Sequence, residues 1–491
     1  MELTNLNITE LKKGYKENKF TPLDVVEAYL TRIKEIDNRV NSYLYVDEKG
    51  VLEIAKKMTG HGYPEAAAEK SQPLWGIPFS AKDLYLTRGL PTTAASKILE
   101  NFVAPYESTV TKRLIDAGAI LLGKTNLDEF AMGSSTESSA FKITHNPWDL
   151  DRVPGGSSGG SAASVAAGLA PFSLGTDTGG SIRQPASLCG VFGFKPTYGR
   201  VSRYGIMAMA SSLDQAGPIS SNARDSAAVL NVIAGRDARD ATSSSKEVPD
   251  YTQFLGLDIK GLKIGLVKEF FAEGLDENVK KRIEEAIGLL EKAGAEFQEI
   301  SIPKAKYGLS IYYILMMAEV SSNLARYDGV RYGFCKRDAN LIEQYKKTRG
   351  QALGAEAKRR IMLGSYVLSA GYKDAYYNLA QKARTALRAE FEKVFSKVDI
   401  LLGPVSPTPA FKIGEKMNDP VQMYLSDIYT VPINPAGLPA ASVPCGFVER
   451  DGSKLPVSFQ LIAPHFREDL IFQVAGNYEK LNPDSISKPN L

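Results

Sequence analysis

The sequence predicts a single large α/β domain, residues 1–491, in which helices cover both faces of a mixed β-sheet, with a helical elaboration. Three observations predict it. Apolar strand-like runs alternate with amphipathic helical stretches, residues 312–395 are almost free of proline and rich in Ala, Lys, Arg and Tyr, and no internal repeat or low-complexity linker divides the chain. We therefore expect an N-terminal helical segment over 1–60, a core over 74–215 and a helical section over 312–395.

The N-terminal half predicts one capped helix followed by buried elements. Thr21 is a typical N-cap and Pro22 suits the first helical position, so a helix begins there. Apolar and polar residues alternate over 74–83, and this period of two predicts a strand. Short, wholly apolar runs indicate strands buried on both faces, and an alanine-rich stretch indicates a closely packed helix. These elements are expected at 119–122 (strand), 161–168 (helix) and 172–174 (strand).

A β-α-β pattern continues in the second half. Residues 262–267 and 296–302 predict strands, and the apolar positions between them recur at helical spacing, from Val279 to Leu290. After the helical section, short strands with Pro/Gly turns are expected at 401–404 and 442–445.

Composition excludes several classes of function. The formal net charge of +3 does not require a nucleic-acid-binding surface on this chain. Three well-separated cysteines, Cys189, Cys335 and Cys445, are typical of a reducing compartment, and none belongs to a cluster with zinc spacing, so we expect no metal site. The polar N-terminus has no signal-peptide core, and no apolar run could span a bilayer. We expect a cytoplasmic protein that does not contact membranes.

Two motifs match catalytic patterns without their physical context. Gly118–Thr125 fits the phosphate-binding pattern GxxxxGK[ST], but its four variable residues are apolar and belong to a predicted strand, so a P-loop ATPase is disfavoured. Gly155–Gly159 fits the nucleophile elbow GxSxG, but Pro154 and the polar residues before it argue against a preceding strand. The three histidines, His61, His145 and His465, have contexts typical of surface turns, which weakens a Ser-His-Asp mechanism.

Two glycine-rich segments contain the serines that could act as nucleophiles. Glycine permits positive φ and the close approach of backbone N–H groups to a reacting atom, so Ser157 and Ser181 could each be surrounded by oxyanion-stabilising donors. Lys82, at the end of the predicted strand, is the remaining candidate base. A lysine pKa of about 10.4 must fall by roughly 2–3 units for that role, which burial can achieve.

Long ordered motifs give the chain a resemblance to a known family. Residues 76–83, 155–161 and 175–185 resemble the motifs of the amidase signature family in order and spacing. The resemblance implies that Lys82 is a neutral base, that Ser157, joined by a cis peptide, relays the proton, and that Ser181 is the acylated nucleophile. It also implies an oxyanion hole made by the backbone N–H groups of Thr178, Gly179, Gly180 and Ser181.

Further motifs resemble one branch of that family, the glutaminase chains of the aspartyl/glutamyl-tRNA amidotransferases. They lie at 130–133, 195–203, 212–218, 323–333, 358–361 and 423–427. This resemblance implies a chain that hydrolyses glutamine and passes ammonia to a partner, in a heterotrimer with subunits B and C. The partner would amidate Glu-tRNA(Gln), or Asp-tRNA(Asn), and would make most contacts with the misacylated tRNA. No cofactor is expected in this chain, and ATP and Mg²⁺ are expected on the partner.

The same resemblance implies a glutamine pocket. Arg360 would hold the α-carboxylate, Asp427 the α-ammonium, and Tyr312 would assist through its hydroxyl. The choice between Arg359 and Arg360, and between Tyr312 and Tyr313, stays open at this level. Two other hypotheses also stay open: a stand-alone amidase of small amides, which would share the catalytic residues, and a non-catalytic scaffold, against which the intact lysine and serines argue.

Overall fold

The structure, a computed structural model, describes residues 2–65, 70–271 and 274–491. The predicted N-terminal segment begins at Met1, which lies outside the described residues. Within the described residues the strands form one 11-stranded sheet, in the order β1-β3-β2-β4-β6-β5-β10-β11-β9-β7-β8 once numbered along the chain. The strands are β1 Tyr43–Val46, β2 Pro78–Lys82, β3 Ile120–Thr125, β4 Phe172–Asp177, β5 Phe192–Lys195, β6 Gln215–Ser220, β7 Lys263–Val267, β8 Glu296–Ile300, β9 Ile400–Pro404, β10 Ala440–Arg450 and β11 Ser453–Ile462.

The sheet is mixed, as expected. β2 pairs in parallel with β3 and β4, and β7 pairs in parallel with β8 and β9. The other ladders are antiparallel. Because β2 and β4 are parallel neighbours, their carboxyl ends meet at one edge of the sheet. The chain leaves β2 at Lys82 and β4 at Asp177, so the two predicted catalytic segments begin side by side.

Helices pack around this sheet. They are α1 Ile8–Lys16, α2 Pro22–Val40, α3 Glu48–His61, α4 Thr109–Asp116, α5 Gly159–Ala166, α6 Arg183–Cys189, α7 Ala223–Ile233, α8 Glu277–Lys292, α9 Gly308–Asn323, α10 Leu341–Ala352, α11 Ala355–Leu368, α12 Leu379–Val394, α13 Pro420–Leu425, α14 Ile433–Ala436 and α15 Glu468–Leu481. The predicted start of α2 is confirmed, because Thr21 accepts the N–H of Asp24 and Asp24 accepts that of Thr21, with Pro22 in the first turn. No helix of the described residues is both long enough and apolar enough to cross a membrane.

The strand predicted within 74–83 is present as β2, and all five of its residues are buried, including Ser80 and Lys82. Its polar side chains make internal hydrogen bonds, from Ser80 to Ser173 and from Lys82 to Ser157. Two other predicted elements differ from the structure. The helical section is interrupted by irregular chain between Tyr327 and Asn340. β10 is a long strand, because it pairs with β11 along almost its entire length.

The P-loop pattern proves to be part of the core. Lys124 and Thr125 belong to β3, where both are buried. The ammonium of Lys124 lies 3.2 Å from Asp83 Oδ1 and 2.7 Å from the carbonyl oxygen of Tyr85. A lysine fixed in a buried ion pair inside a strand is not available for a phosphate, so the prediction against a P-loop is confirmed.

Candidate active site

Lys82 lies at the end of β2 with its ammonium group among three hydroxyls. Its Nζ is 2.7 Å from Ser157 Oγ, 2.9 Å from Ser158 Oγ and 3.0 Å from Thr176 Oγ1, and the side chain has no exposed surface. Thr176 is on β4, and Ser157 and Ser158 belong to the loop that enters α5. The parallel pairing of β2 with β4 therefore places Lys82 next to Ser157, as predicted.

The surroundings of Lys82 favour its neutral form. Burial lowers the pKa of Lys82 to about 7, although nearby carboxylates, Asp128 foremost, oppose this shift. The hydroxyl of Ser158 donates to the carbonyl oxygen of Thr176 at 3.1 Å, so toward Lys82 it can only accept. A neutral amine that donates to Ser158 and Thr176 keeps its lone pair for the proton of Ser157. The arrangement can therefore accept a proton from Ser157.

The loop that carries Ser157 is fixed from both sides. The Gly156–Ser157 peptide bond is cis. The N–H of Asp128 donates to the carbonyl oxygen of Ser157 at 3.2 Å, and the N–H of Gly156 donates to Gln184 Oε1 at 2.9 Å. A Cβ at position 156 would lie 2.1 Å from Asp128 Oδ2, so only glycine allows this carboxylate to lie against the loop.

Ser181 lies in the turn that follows β4 and is partly exposed, unlike Ser157. Its carbonyl oxygen accepts the N–H of Ser158 at 3.2 Å, so the two serine segments run next to each other. The structure thus brings Lys82 into contact with Ser157 and the backbone of Ser181 into contact with Ser158. The chemical roles of the three residues stay predictions.

A buried ion pair shapes the turn around Ser181. The carboxylate of Asp177 accepts from Nε and Nη2 of Arg183, both at 3.0 Å, and neither side chain is exposed. Burial raises the pKa of Asp177, but the charge of Arg183 and its hydrogen bonds outweigh burial and hold that pKa at about 2. Arg183 also reaches Asn434 Oδ1 at 2.6 Å, which ties the turn to α14.

One donor of the predicted oxyanion hole already has a hydrogen-bond partner within its own turn. The N–H of Gly180 donates to Asp177 Oδ1 at 2.8 Å, because the Asp177 carboxylate folds back into its own turn. That donor is therefore occupied. Among the described residues the N–H groups of Thr178, Gly179 and Ser181 make no hydrogen bond. These three groups are the remaining candidates to stabilise an oxyanion.

A cavity of about 260 Å³ lies beside these segments. Its wall comes from the turn after β3, from the first turns of α11 and from the chain around α13. The charged side chains that line it are Asp128, Glu129, Glu356, Arg359, Arg360 and Lys416. Asp128 also lies against Gly156, so the cavity borders the catalytic loop.

Arg360 and Arg359 both line this cavity but differ in burial. The side chain of Arg360 is 3% exposed, its Nε donates to Glu356 Oε1 at 2.7 Å, and its guanidinium lies 5.7 Å and 5.6 Å from the ring centres of Tyr313 and Tyr424. Burial alone would lower the pKa of Arg360, but Glu356 raises it above the usual range. The Arg359 side chain is 42% exposed and also pairs with Glu356. Arg360 is the arginine held rigidly in the wall.

Asp427 is adjacent to the cavity and has an unused acceptor. Its Oδ2 accepts the hydroxyl of Ser134, which lines the cavity, whereas Oδ1 is buried and has no hydrogen-bond partner among the described residues. Burial raises the pKa of Asp427 to about 7. A buried acceptor without a partner is costly, so a cationic donor placed there would bind favourably. Asp427 is not itself part of the cavity wall and would be reached past Ser134.

Tyr312 and Tyr313 face different parts of the site. A Cβ at Gly179 would lie 2.7 Å from the Tyr312 ring, so this ring packs directly on the turn after β4. Tyr313 stacks on Tyr424 with ring centres 4.1 Å apart, beside Arg360. Tyr312 therefore belongs to the nucleophile side and Tyr313 to the arginine side.

Sequence reasoning missed several residues that shape the site. They are Ser158, Thr176, Asp128, Ser134, Glu356 and Tyr424. Ser158 is next to Ser157 in the same motif, which was a usable signal. The other five come from four separate segments, and no short-range pattern connects these segments.

The histidines make their ring hydrogen bonds away from the serine segments, whereas Cys189 donates its thiol to the carbonyl oxygen of Pro154, next to the first segment, at 3.3 Å. Nδ1 of His145 pairs with the carbonyl oxygen of Leu150, and Nε2 of His465 with that of Ala436, whereas His61 ends α3 and is exposed. None of the three contacts either serine segment in the described residues. All three cysteines are free. In residues 2–65, 70–271 and 274–491 no group of three or more His, Cys, Asp or Glu side chains is placed to hold a metal ion.

Comparisons with known proteins identify the family and the fold of the chain. The amidase family model matches residues 24–472. The chain is 54% identical over 494 residues to the A subunit of glutamyl-tRNA(Gln) amidotransferase from Persephonella marina, with 100% of both chains covered. The crystal structure of the A subunit of glutamyl-tRNA(Gln) amidotransferase from Thermotoga maritima superposes with a TM-score of 0.83 at 42% identity, covering 100% of this chain and 99% of that one. The native peptide amidase of Stenotrophomonas maltophilia also has a TM-score of 0.83, at 29% identity, covering 99% and 98%.

Proposed function

This chain belongs to the amidase family, and on that premise we propose that it is the glutaminase subunit of a tRNA-dependent amidotransferase. The observation that carries the proposal is the presence of a buried arginine and a separate buried carboxyl group at the cavity beside the serine segments. Arg360 lines this cavity, and Asp427 has a free oxygen next to it. Free glutamine has an α-carboxylate and an α-ammonium, which these two groups complement.

The proposed reaction starts with proton transfer from Ser181 through Ser157 to neutral Lys82. As Ser181 Oγ bonds to the side-chain amide carbon, the carbonyl π electrons move to oxygen, where free backbone N–H groups stabilise the charge. Breakage of the carbon–nitrogen bond leaves a glutamyl ester, and the proton held by Lys82 returns through Ser157 to the departing nitrogen as ammonia. Water then attacks the ester by the same relay. Glutamine and water give glutamate and ammonia, and Ser181 regains its proton.

The second half of the proposal concerns the fate of the ammonia. We propose that ammonia passes to a partner subunit. With ATP and Mg²⁺, that subunit would activate the glutamate of misacylated Glu-tRNA(Gln) or the aspartate of misacylated Asp-tRNA(Asn). Subunits B and C would complete the heterotrimer, and the tRNA would contact mainly the partner. The full-length relatives named as amidotransferase A subunits support this assignment. The cytoplasmic location stays a prediction.

A stand-alone amidase of small amides is the second candidate. The fold that the chain shares with a peptide amidase supports this candidate. The catalytic segments alone do not distinguish the two functions, because one fold can serve both. Co-purification from the native cell, followed by glutaminase assays with and without misacylated tRNA, separates them. We expect partner subunits to co-purify and glutamine hydrolysis to rise when misacylated tRNA and ATP are added. If the chain purifies without partners and its glutaminase activity is the same with and without misacylated tRNA, it is a general amidase.

The pocket can be tested by removing one charge at a time. Arg360→Ala and Asp427→Ala should each raise the KM for glutamine about 30- to 1,000-fold, because one buried charge contact contributes about 2–4 kcal/mol. Steady-state kinetics with glutamine and with a simple amide that lacks both α-groups measures the effect.

Arg359→Ala is the matched control, since it removes a neighbouring charge that also pairs with Glu356 but is largely exposed. Its KM should change less than about threefold, in line with the small contribution of exposed ion pairs. If the glutamine KM were unchanged in both Arg360→Ala and Asp427→Ala, these residues would not bind glutamine and the pocket would serve another substrate.

The relay through Ser157 predicts a different kinetic effect. Ser157→Ala should slow both acylation and deacylation, because both steps pass a proton between Ser181 and Lys82. Single-turnover experiments that follow ammonia and glutamate separately measure the two rates, and a loss of about 100-fold or more is expected in each. Unchanged rates in both steps would leave Ser157 with a role only in the shape of the loop.

A further inference from the structure

The carboxylate of Glu129 lies between the catalytic loop and the helix that carries Arg360. Glu129 follows Asp128 in the turn after β3, and its side chain is buried. Its Oε1 accepts the hydroxyl of Ser96 at 2.5 Å, and its Oε2 accepts the backbone N–H of Gly354 at 2.8 Å. Gly354 is the residue immediately before α11. Glu129 is therefore bonded to the start of that helix.

Helix α11 has no side-chain cap of its own. The N-cap residue is a glycine, and the third helical position, where a Glu or Gln would bond back to the N-cap N–H, is Ala357. Glu129 makes that bond from a distant part of the sequence, and its negative charge suits the positive end of the helix. A Cβ at position 354 would lie 2.4 Å from Glu129 Oε2, so only glycine admits the carboxylate.

The position of α11 determines the position of Arg360. Glu356 and Arg360 lie in the first two turns of α11 and line the cavity, as does Glu129 itself. On the other side, Asp128 donates its N–H to the carbonyl oxygen of Ser157. Two adjacent residues thus connect the serine loop to the first turn of the helix that holds the arginine.

We propose that Glu129 is a positioning residue for glutamine binding, which fixes the N-terminus of α11 so that Arg360 meets the substrate α-carboxylate at the correct distance from the nucleophile. The inference rests on the proposed glutaminase function and deepens it. Because Glu129 acts through Arg360, its loss should affect the binding of glutamine and leave the chemical step on a bound amide almost unchanged.

The test compares two variants of Glu129 in the full chain. Glu129→Ala removes both hydrogen bonds and should raise the glutamine KM about tenfold or more, with kcat within about twofold, because small displacements of a positioning group have large effects. Glu129→Gln keeps an acceptor for Gly354 and should restore most of the binding. Calorimetry of glutamine on the same variants in a Ser181→Ala background measures affinity without turnover.

Asp225→Ala is the matched control. Asp225 is another buried carboxylate that accepts a backbone N–H at a helix start, that of Ile8 at 3.2 Å in α1. Its loss should leave the glutamine KM and affinity unchanged. An unchanged KM and affinity in Glu129→Ala, or an equal change in Asp225→Ala, overturns the inference. If the Ser181→Ala chain with native Glu129 binds no glutamine, the proposed function itself fails, which is a distinct result.

Discussion

Ser181→Ala should abolish glutamine hydrolysis while leaving the fold intact. The loss should be on the order of 10⁴- to 10⁶-fold in kcat, because no other group in the proposed mechanism can form the acyl-enzyme. The Ser181 side chain is partly exposed and makes no hydrogen bond to the described residues, so the free energy of unfolding should change by less than about 0.5 kcal/mol. Ammonia release and thermal unfolding measure the two effects.

Ser187→Ala is a suitable control for this variant. Ser187 is a buried serine of the following helix, α6, and has no place in the proposed reaction. It should keep near-normal turnover. If Ser181→Ala retained more than a few per cent of the turnover, the nucleophile would have to be another residue, and Ser157 would be the first to test.

Lys82→Met should be almost as damaging as the loss of Ser181. The substitution keeps much of the side-chain volume but removes the nitrogen that lies 2.7 Å from Ser157 Oγ. Because the base and the nucleophile act as one unit, the double variant should be no worse than either single one. Steady-state glutaminase assays on the three variants measure this.

The same lysine predicts the pH dependence of the reaction. The proposed base is the neutral amine, and the pKa of Lys82 is lowered to about 7 by burial. Below that pH the neutral fraction falls tenfold per unit, so kcat/KM should rise with pH up to about 7 and then level off.

Lys195→Met is the control for Lys82→Met. Burial also lowers the pKa of Lys195 to about 7, but its Nζ contacts Gln215 and the carbonyl oxygens of Pro196 and Leu438 instead of a serine. The assignment of Lys82 as the base would be wrong if Lys82→Met kept near-normal turnover. It would also be wrong if a folded Lys195→Met protein were as inactive as Lys82→Met.

The catalytic segments were predictable because short-range signals mark them. Glycines lie on both sides of Ser157 and directly before Ser181, which indicates an unusual backbone there. Lys82 ends the alternating stretch that becomes β2. The hydrogen-bond partners of Lys82 were harder to predict from the sequence. Thr176 contacts it only through the parallel register of β2 and β4, in which Ala81 pairs with Leu174, and no local pattern sets that register.

Two features of the site could not be predicted from the sequence: which N–H groups near Ser181 are free, and which distant helices form the wall of the pocket. The N–H of Gly180 is occupied because Asp177 bends back toward it, which depends on the ion pair with Arg183. The aromatic rings beside Arg360 come from α9 and α13, which are far apart in the chain. Periodicity predicts which face of a helix is buried but not which distant helix covers it. The difference in burial between Arg360 and Arg359 therefore could not be predicted from the sequence.

The most direct test of the account is to look for the covalent intermediate. The chain is mixed with glutamine, quenched in acid within the first turnover and digested, and the peptides are analysed by mass spectrometry. We expect a glutamyl ester on the peptide that contains Ser181, absent from the Ser181→Ala protein and more abundant when deacylation is slowed in Ser157→Ala. A glutamyl adduct on another residue, or steady release of ammonia from glutamine with no adduct on Ser181 in either background, would contradict the account.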